Sequence, residues 1–305
     1  MNHRTLLLTA LLLIGLSTVA AKSPKIVVAG SGMDKIVVLD KQSGQIDWSY
    51  PLPEGGECNS VAVDKKGYLV FAYSKGAKLV TATKKIRWDY VVSAGEELHT
   101  ATTLPDGGYL LGICGNPSRI VELDKKGTPR KQITFDTGIK NPHGQFRQIK
   151  KSKTGTYLVP LMGKPQLLEL SAEGELLRTY PLPAPSFSVL ELKSGNLLLS
   201  CGDAHMFAEM DRTSGNIVRK IDNTTLQEKG VLHFLAQIVQ LNNGNLLLSS
   251  WNGHFKKGEN TQVPHIIELD ADNRIVWRYD NHTDISKVST LFYIENGTKW
   301  NSKQQ

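Results

Sequence analysis

From Ile26 onward the chain runs in short stretches that alternate apolar and polar residues and break at Asp, Asn or Gly. A period of two with a turn signal between runs specifies antiparallel hairpins that bury one face. The hairpins are also self-similar. Lys35 to Tyr50, KIVVLDKQSGQIDWSY, returns as HIIELDADNRIVWRY from His265. Looser copies are RIVELDKKGTPRKQI from Arg119, QLLELSAEGELLRTY from Gln166, MFAEMDRTSGNIVRKI from Met206 and KLVTATKKIRWDY from Lys78. Upstream of most copies lies a second hairpin, as in SVLELKSGNLLLSC from Ser188, QIVQLNNGNLLLSS from Gln237 and ATTLPDGGYLLGIC from Ala101. Self-similarity at roughly 40–50 residues marks a repeat architecture. Two hairpins per unit make a four-stranded blade, with strands A to D counted outward from the axis, and six units predict an all-β, six-bladed β-propeller.

The first copy has a B strand near Ile26 but no A strand before it. The segment Lys287 to Asn296, KVSTLFYIEN, is a lone strand that is expected to take this place, close the ring and remove its open edges. Ahead of the repeats come Arg4, an apolar run from Leu6 to Leu16, and small residues from Ser17 to Ala21. This is the pattern of a signal peptide cleaved near Ala20 or Ala21, and it predicts a secreted or periplasmic protein. The apolar run is short for a bilayer and no later segment is continuously apolar, so no transmembrane segment is expected. The predicted organisation is a signal peptide over 1–21, the propeller over 22–297 and a flexible tail over 298–305.

Near the middle of the D strand the position held by Trp48 recurs as Trp88 and Trp277, with Arg178 and Arg219 in blades 4 and 5. This G-x-I-x-W pattern resembles the PQQ-like propeller repeats and covers the chain after the signal peptide. The resemblance implies a fold. A quinone cofactor is not expected, because the propellers that hold one resemble eight-bladed rings with a cysteine pair and a calcium site. The tryptophans read as packing between blades.

The balance of 36 Lys and Arg against 29 Asp and Glu gives a net charge of +7. Many of the lysines sit as turn pairs such as Lys65-Lys66 and Lys125-Lys126, so a solvated surface, with no nucleic-acid partner, is the expected meaning. Three cysteines, Cys58, Cys114 and Cys201, are too few for a disulfide scaffold and read as buried thiols.

The candidate chemistry lies in the histidines. His99, His143 and His233 fall at the starts of inner strands, His282 in the last D-to-A connection, and His205, His254 and His265 in B-to-C connections, all of which emerge on one face. Five B-to-C connections are five residues long, whereas Trp251 to His265 is much longer and carries Trp251, His254 and Phe255. Such an excursion suits a recognition loop or lid. With Lys35, Lys78 and Arg119 at the starts of C strands, the channel mouth is expected to be cationic and rich in imidazole. That composition suits a small-molecule anion, a glycan or a protein partner. No cofactor is required by any motif, although the imidazoles are compatible with a divalent metal.

A binding propeller is therefore the preferred function, and an enzyme is the alternative. Six blades, mouth histidines and I-x-W-x-Y hairpins resemble the arylsulfotransferase-type propellers. That resemblance implies a transiently sulfated histidine, drawn from His99, His143, His233 or His265, with Arg119 as the clamp. A metal-assisted lyase is a further alternative. H-E-x-x-H, G-x-S-x-G and Walker motifs do not occur.

Overall fold

A computed structural model of the chain is described over residues 23–53, 56–256, 261–295 and 300. The leader over 1–21, and all of the expected tail except Trp300, lie outside the described residues. The strands form six four-stranded antiparallel sheets, the blades of a propeller. The inner strands are Thr290–Ile294, Ser60–Val63, Glu97–Thr103, Lys150–Lys151, Ser188–Glu191 and Phe234–Gln240. The outer strands are Ile46–Pro51, Ile86–Val91, Pro129–Phe135, Leu176–Pro181, Ile217–Asp222 and Ile275–Tyr279.

Burial follows position in the blade. The second strand of blade 3, Tyr109–Cys114, is buried at every residue, whereas the outer strand Ile275–Tyr279 mostly alternates partly buried and exposed positions. A middle strand is covered on both faces by neighbouring blades, so it reads as a continuous apolar run. The core is accordingly divided among the seams between blades. Ile26, Val28 and Val37 of blade 1 pack with Leu247 and Ile266 of blade 6, and Val70 and Leu79 of blade 2 with Leu111 and Val121 of blade 3.

The ring closes as the sequence predicts. Thr290–Ile294 pairs antiparallel with Lys25–Ala29, in register from Lys25 opposite Ile294 to Ala29 opposite Thr290. In the stretch expected to fray, Trp300 sets its ring edge-on against Trp48 at 5.1 Å between centroids.

Every C–D hairpin carries a register shift at the same place, and the D-strand residue paired just before it reaches the C–D turn of the following blade. Trp48 donates its indole N–H to Ala82 O at 2.8 Å, and Trp277 donates to Lys41 O at 3.1 Å. Arg178 donates to the carbonyls of Arg212, Thr213 and Ser214, and Arg219 to Asn273. In blade 3 the position is Lys131, which faces Glu173 at 3.9 Å. Trp88 packs against Gly127, where a Cβ would stand 2.5 Å from the indole. The recurring tryptophan position is thus a strut between blades, and it is filled by cations where no tryptophan stands.

One connection is shorter than its sequence suggests. In blade 2 Tyr73 pairs with Gly76, so only Ser74 and Lys75 form the turn. A Cβ at Gly76 would stand 2.1 Å from Tyr90 O, which is why this hairpin needs glycine there.

Candidate functional site

The strand directions bring the D-to-A and B-to-C connections out on one rim, and with them all seven histidines of the propeller. The structure sorts them into three stations: His99 with His143 at the mouth, His205 with His233 and His254 on blades 5 and 6, and His265 with His282 at the seam of blades 6 and 1.

The mouth station is a closed ring of six side chains. His99 is the extra residue of a β-bulge between Leu98 and Thr100, which turns its side chain out of the ladder. It is fully buried. Asn59 Nδ2 donates to Glu57 Oε1 at 2.6 Å, and because a carboxylate oxygen only accepts, this fixes the amide orientation. The same Nδ2 lies 3.3 Å from His99 Nδ1, which therefore accepts. His99 Nε2–H is then left to donate to Glu97 Oε2, at 2.8 Å. On the other side Arg147 Nη2 donates to His143 Nε2 at 3.1 Å, so His143 Nδ1–H donates to the same Glu97 Oε2 at 2.9 Å. Arg147 Nε faces Glu57 Oε1 at 3.5 Å and closes the ring. The guanidinium is also held by the carbonyls of His143 and Phe146.

The His99 hydrogen bond, working against partial burial and joined by His143, holds the Glu97 carboxyl down at about 2. Burial opposes ionisation of Glu57, but Arg147, His99 and the Asn59 amide outweigh it and lower its pKa. Burial and then Arg147 push His99 down to about 4, against the pull of both carboxylates. Two carboxylates against one guanidinium and neutral imidazoles leave one excess negative charge. The cationic mouth suggested by composition is not what these residues form. Glu97 Oε1 makes no hydrogen bond among the described residues, and the Glu97 and His143 side chains are 30% and 52% exposed, so a ligand at the mouth meets both.

Beneath the ring the axis is spanned by amides. Gln148 Nε2 donates to Asn59 O at 2.8 Å and to Gln237 Oε1 at 3.0 Å, while Gln237 Oε1 also accepts from Thr290 Oγ1 and Leu291 N. These contacts tie blades 1, 2, 4 and 6 together and floor the mouth. Cys58, at the corresponding place on blade 2, is a buried free thiol pushed up to about 12 by burial, as are Cys114 and Cys201.

The other residues singled out from sequence have other employment. Arg119 is gripped by both oxygens of Glu96, at 3.0 and 2.6 Å, and Lys78 faces Asp89 at 3.1 Å. Lys35 lines a cavity of about 290 Å³ beside His282. Trp251 donates its indole N–H to Ser31 O at 2.8 Å, which pins the long loop across the seam to blade 1. His254 pairs with Asp203 at 2.9 Å, Phe255 stacks on His233 at 4.0 Å, and His205 Nδ1 contacts His233 O. Glu57, Glu97 and Arg147 were missed by sequence reading. The signal for the first two was the pair E-x-N at 57–59 and E-x-H at 97–99, which place a carboxylate two residues ahead of each mouth side chain.

One ligand atom from each of Glu97, His99 and His143 lies within 4.8 Å of the others, a spacing an ion could bridge. The surrounding hydrogen bonds have the opposite polarity. A metal on His99 Nε2 or His143 Nδ1 moves the imidazole proton to the far nitrogen, where Asn59 and Arg147 present donors, whereas metal-bound histidines give that proton to an acceptor. The ring directs two imidazole N–H groups at the ionised Glu97 carboxylate.

Among the described residues no helix is long and apolar enough to cross a membrane. A comparison with curated protein sequences finds no match. Among solved structures, a protein of unknown function from Bacteroides caccae is 39% identical, with a TM-score of 0.86 over 90% of this chain and 100% of that one. A streptogramin B lyase superposes with a TM-score of 0.60 at 17% identity, over 88% of this chain and 86% of that one. The virginiamycin B lyase of Staphylococcus aureus, as an inactive variant with quinupristin, gives 0.59 at 12% identity, over 91% of this chain and 94% of that one. At such identities the lyases share the fold alone. The family model for Mal s 1 allergenic protein-like proteins matches residues 32–274, from the B-to-C connection of blade 1 into the last hairpin, and the chain belongs to that family.

Proposed function

We propose that this is a secreted or periplasmic binding propeller, freed of its leader near Ala20 or Ala21, that takes a small hydroxyl-rich ligand of the glycan type at the mouth on its histidine-bearing face. Glu97 carries this reading: an ionised, partly exposed carboxylate with one oxygen held by two imidazole N–H groups and the other without a hydrogen-bond partner among the described residues. Such an oxygen accepts from hydroxyl donors and repels anions. The engagement of Arg119 and Lys78 by acidic partners weighs the same way, against a small anion and against the sulfuryl clamp that arylsulfotransferase-type chemistry would need. The PQQ-like character of the hairpins enters only as blade packing.

Isothermal titration calorimetry with a panel of neutral oligosaccharides, using aryl sulfates and uronate oligomers as anionic comparators, tests the proposal. Neutral saccharide binding is expected, and Glu97→Gln should weaken it at least about tenfold, about 1.4 kcal/mol. An aryl sulfate that binds the parent and binds Glu97→Gln equally well would overturn it.

A second reading, a lyase, has one observation in its favour. His143 is exposed and its Nδ1–H is oriented by an ionised carboxylate, as in acid–base catalysis. Arg147 occupies the working nitrogen, so a substrate of this enzyme would have to displace it.

A further inference from the structure

The seam between blades 6 and 1 holds a second, differently wired histidine pair. His265 closes the long loop ahead of the strand Ile266–Leu269, and His282 follows the outer strand of the same blade. Their rings lie 4.3 Å apart between centroids at 52°. His265 is fully buried. Among the described residues the Nε2 atoms of both imidazoles are buried without a hydrogen bond of normal geometry, although the Ile285 backbone acts on His265, and so is Oδ1 of Asn252, which touches His265 from the other side. Folded proteins leave few such atoms, because each loses its water without replacement. Three at one place call for an occupant.

The neighbouring amide indicates which kind. Asn252 Nδ2 makes only long contacts, 3.3 Å to His265 Nδ1 and 3.4 Å to Val263 O. Amide oxygen and nitrogen are interchangeable by a half-turn. Turned, Asn252 accepts the Nδ1–H of His265 and His265 Nε2 presents a lone pair, at the cost of the amide's contact with Val263 O and with its N–H groups now in the place where Oδ1 had no partner. This is how metal-bound imidazoles are held, with the outer N–H on an acceptor, and it is the polarity the mouth ring lacks. The cavity of about 290 Å³ lined by residues 32–35 and 282–286 reaches His282 from solvent, and Asp34 and Asp284 lie on its wall.

We propose that His265 and His282 bind a divalent transition-metal ion through their Nε2 atoms, with Asn252 as the outer partner and water from the cavity completing the coordination. Two imidazoles favour zinc, nickel or copper over the oxygen-seeking calcium and magnesium. With two protein ligands the ion keeps open positions toward the cavity. The proposal is independent of the ligand reading at the mouth.

The mature chain is titrated with zinc by calorimetry and with cobalt by visible absorption, using calcium as comparator. One zinc or cobalt per chain is expected, with His282→Ala weakening it at least tenfold while thermal unfolding stays cooperative. Because alanine at the fully buried His265 risks the fold, its role is read in the parent by nitrogen NMR, where Nε2 of His265 and of His282 should both shift on adding zinc. The proposal is overturned if no ion binds or if binding survives His282→Ala. It is likewise overturned if binding is lost in His143→Ala, which would move the ion to Glu97, His99 and His143.

Discussion

His99 shows how one buried side chain couples the site to stability. Burial and Arg147 hold it near 4, against about 6.5 for a free histidine. A depressed folded pKa means the unfolded chain takes up the proton first. The stability that goes with the neutral ring is complete above about 6.5 and is lost as pH falls toward 4. Each unit of difference is worth about 1.4 kcal/mol. Glu97, at about 2, extends the loss below the ordinary carboxylate range. Denaturant midpoints are therefore expected to fall steadily from pH 6.5 to 4. His265, also lowered to about 4 by burial and then His282, contributes in the same sense, so the diagnostic is the slope. His99→Gln should flatten it, and an unchanged slope would show that His99 is not the titrating group.

At the scale of the element, closure and the seams share the work of stability. The strand Thr290–Ile294 buries Leu291 and Ile294 and gives the first blade its inner edge, while Ile285 and Val288 ahead of it pack into the seam with blade 6. Truncation at Asp284 deletes all of these and exposes Lys25–Ala29 as an open edge. Cooperative thermal unfolding should be abolished. A truncated chain that melts like the parent would show that the ring does not depend on this strand. Bulges act at the same scale, since one in each of the inner strands of blades 3 and 6 frees His99 and Gln237 from the ladder to meet partners from other blades.

For the whole molecule the question is which rim works. The opposite rim, built from A-to-B and C-to-D turns, has its own cavity of about 280 Å³ between Lys41, Asn242, Asn243 and Glu268. If the histidine-bearing rim is the working one, Lys125→Ser and Asn243→Asp should leave saccharide affinity unchanged in calorimetry. A loss in Asn243→Asp with folding intact would transfer the function to that cavity.

The blade count, the hairpins and the ring closure were legible in the sequence because they rest on period-two alternation and on a repeat, both local properties of the chain. The face of each histidine followed from strand direction for the same reason. Which histidines meet was not legible, because His143 reaches Glu97 across 46 positions of sequence, and His265 and His282 converge from two connections of one blade. Charge misled for a related cause: composition counts Arg119 and Lys78 as cations, and only packing reveals that Glu96 and Asp89 neutralise them. The strut at Lys131 was hidden because its role lies in register with the bulge and not in residue type. Sequence determined the ring because local patterning specifies strands. The tertiary structure decided the chemistry, because tautomers and ion pairs depend on partners that only the closed ring brings within hydrogen-bonding distance.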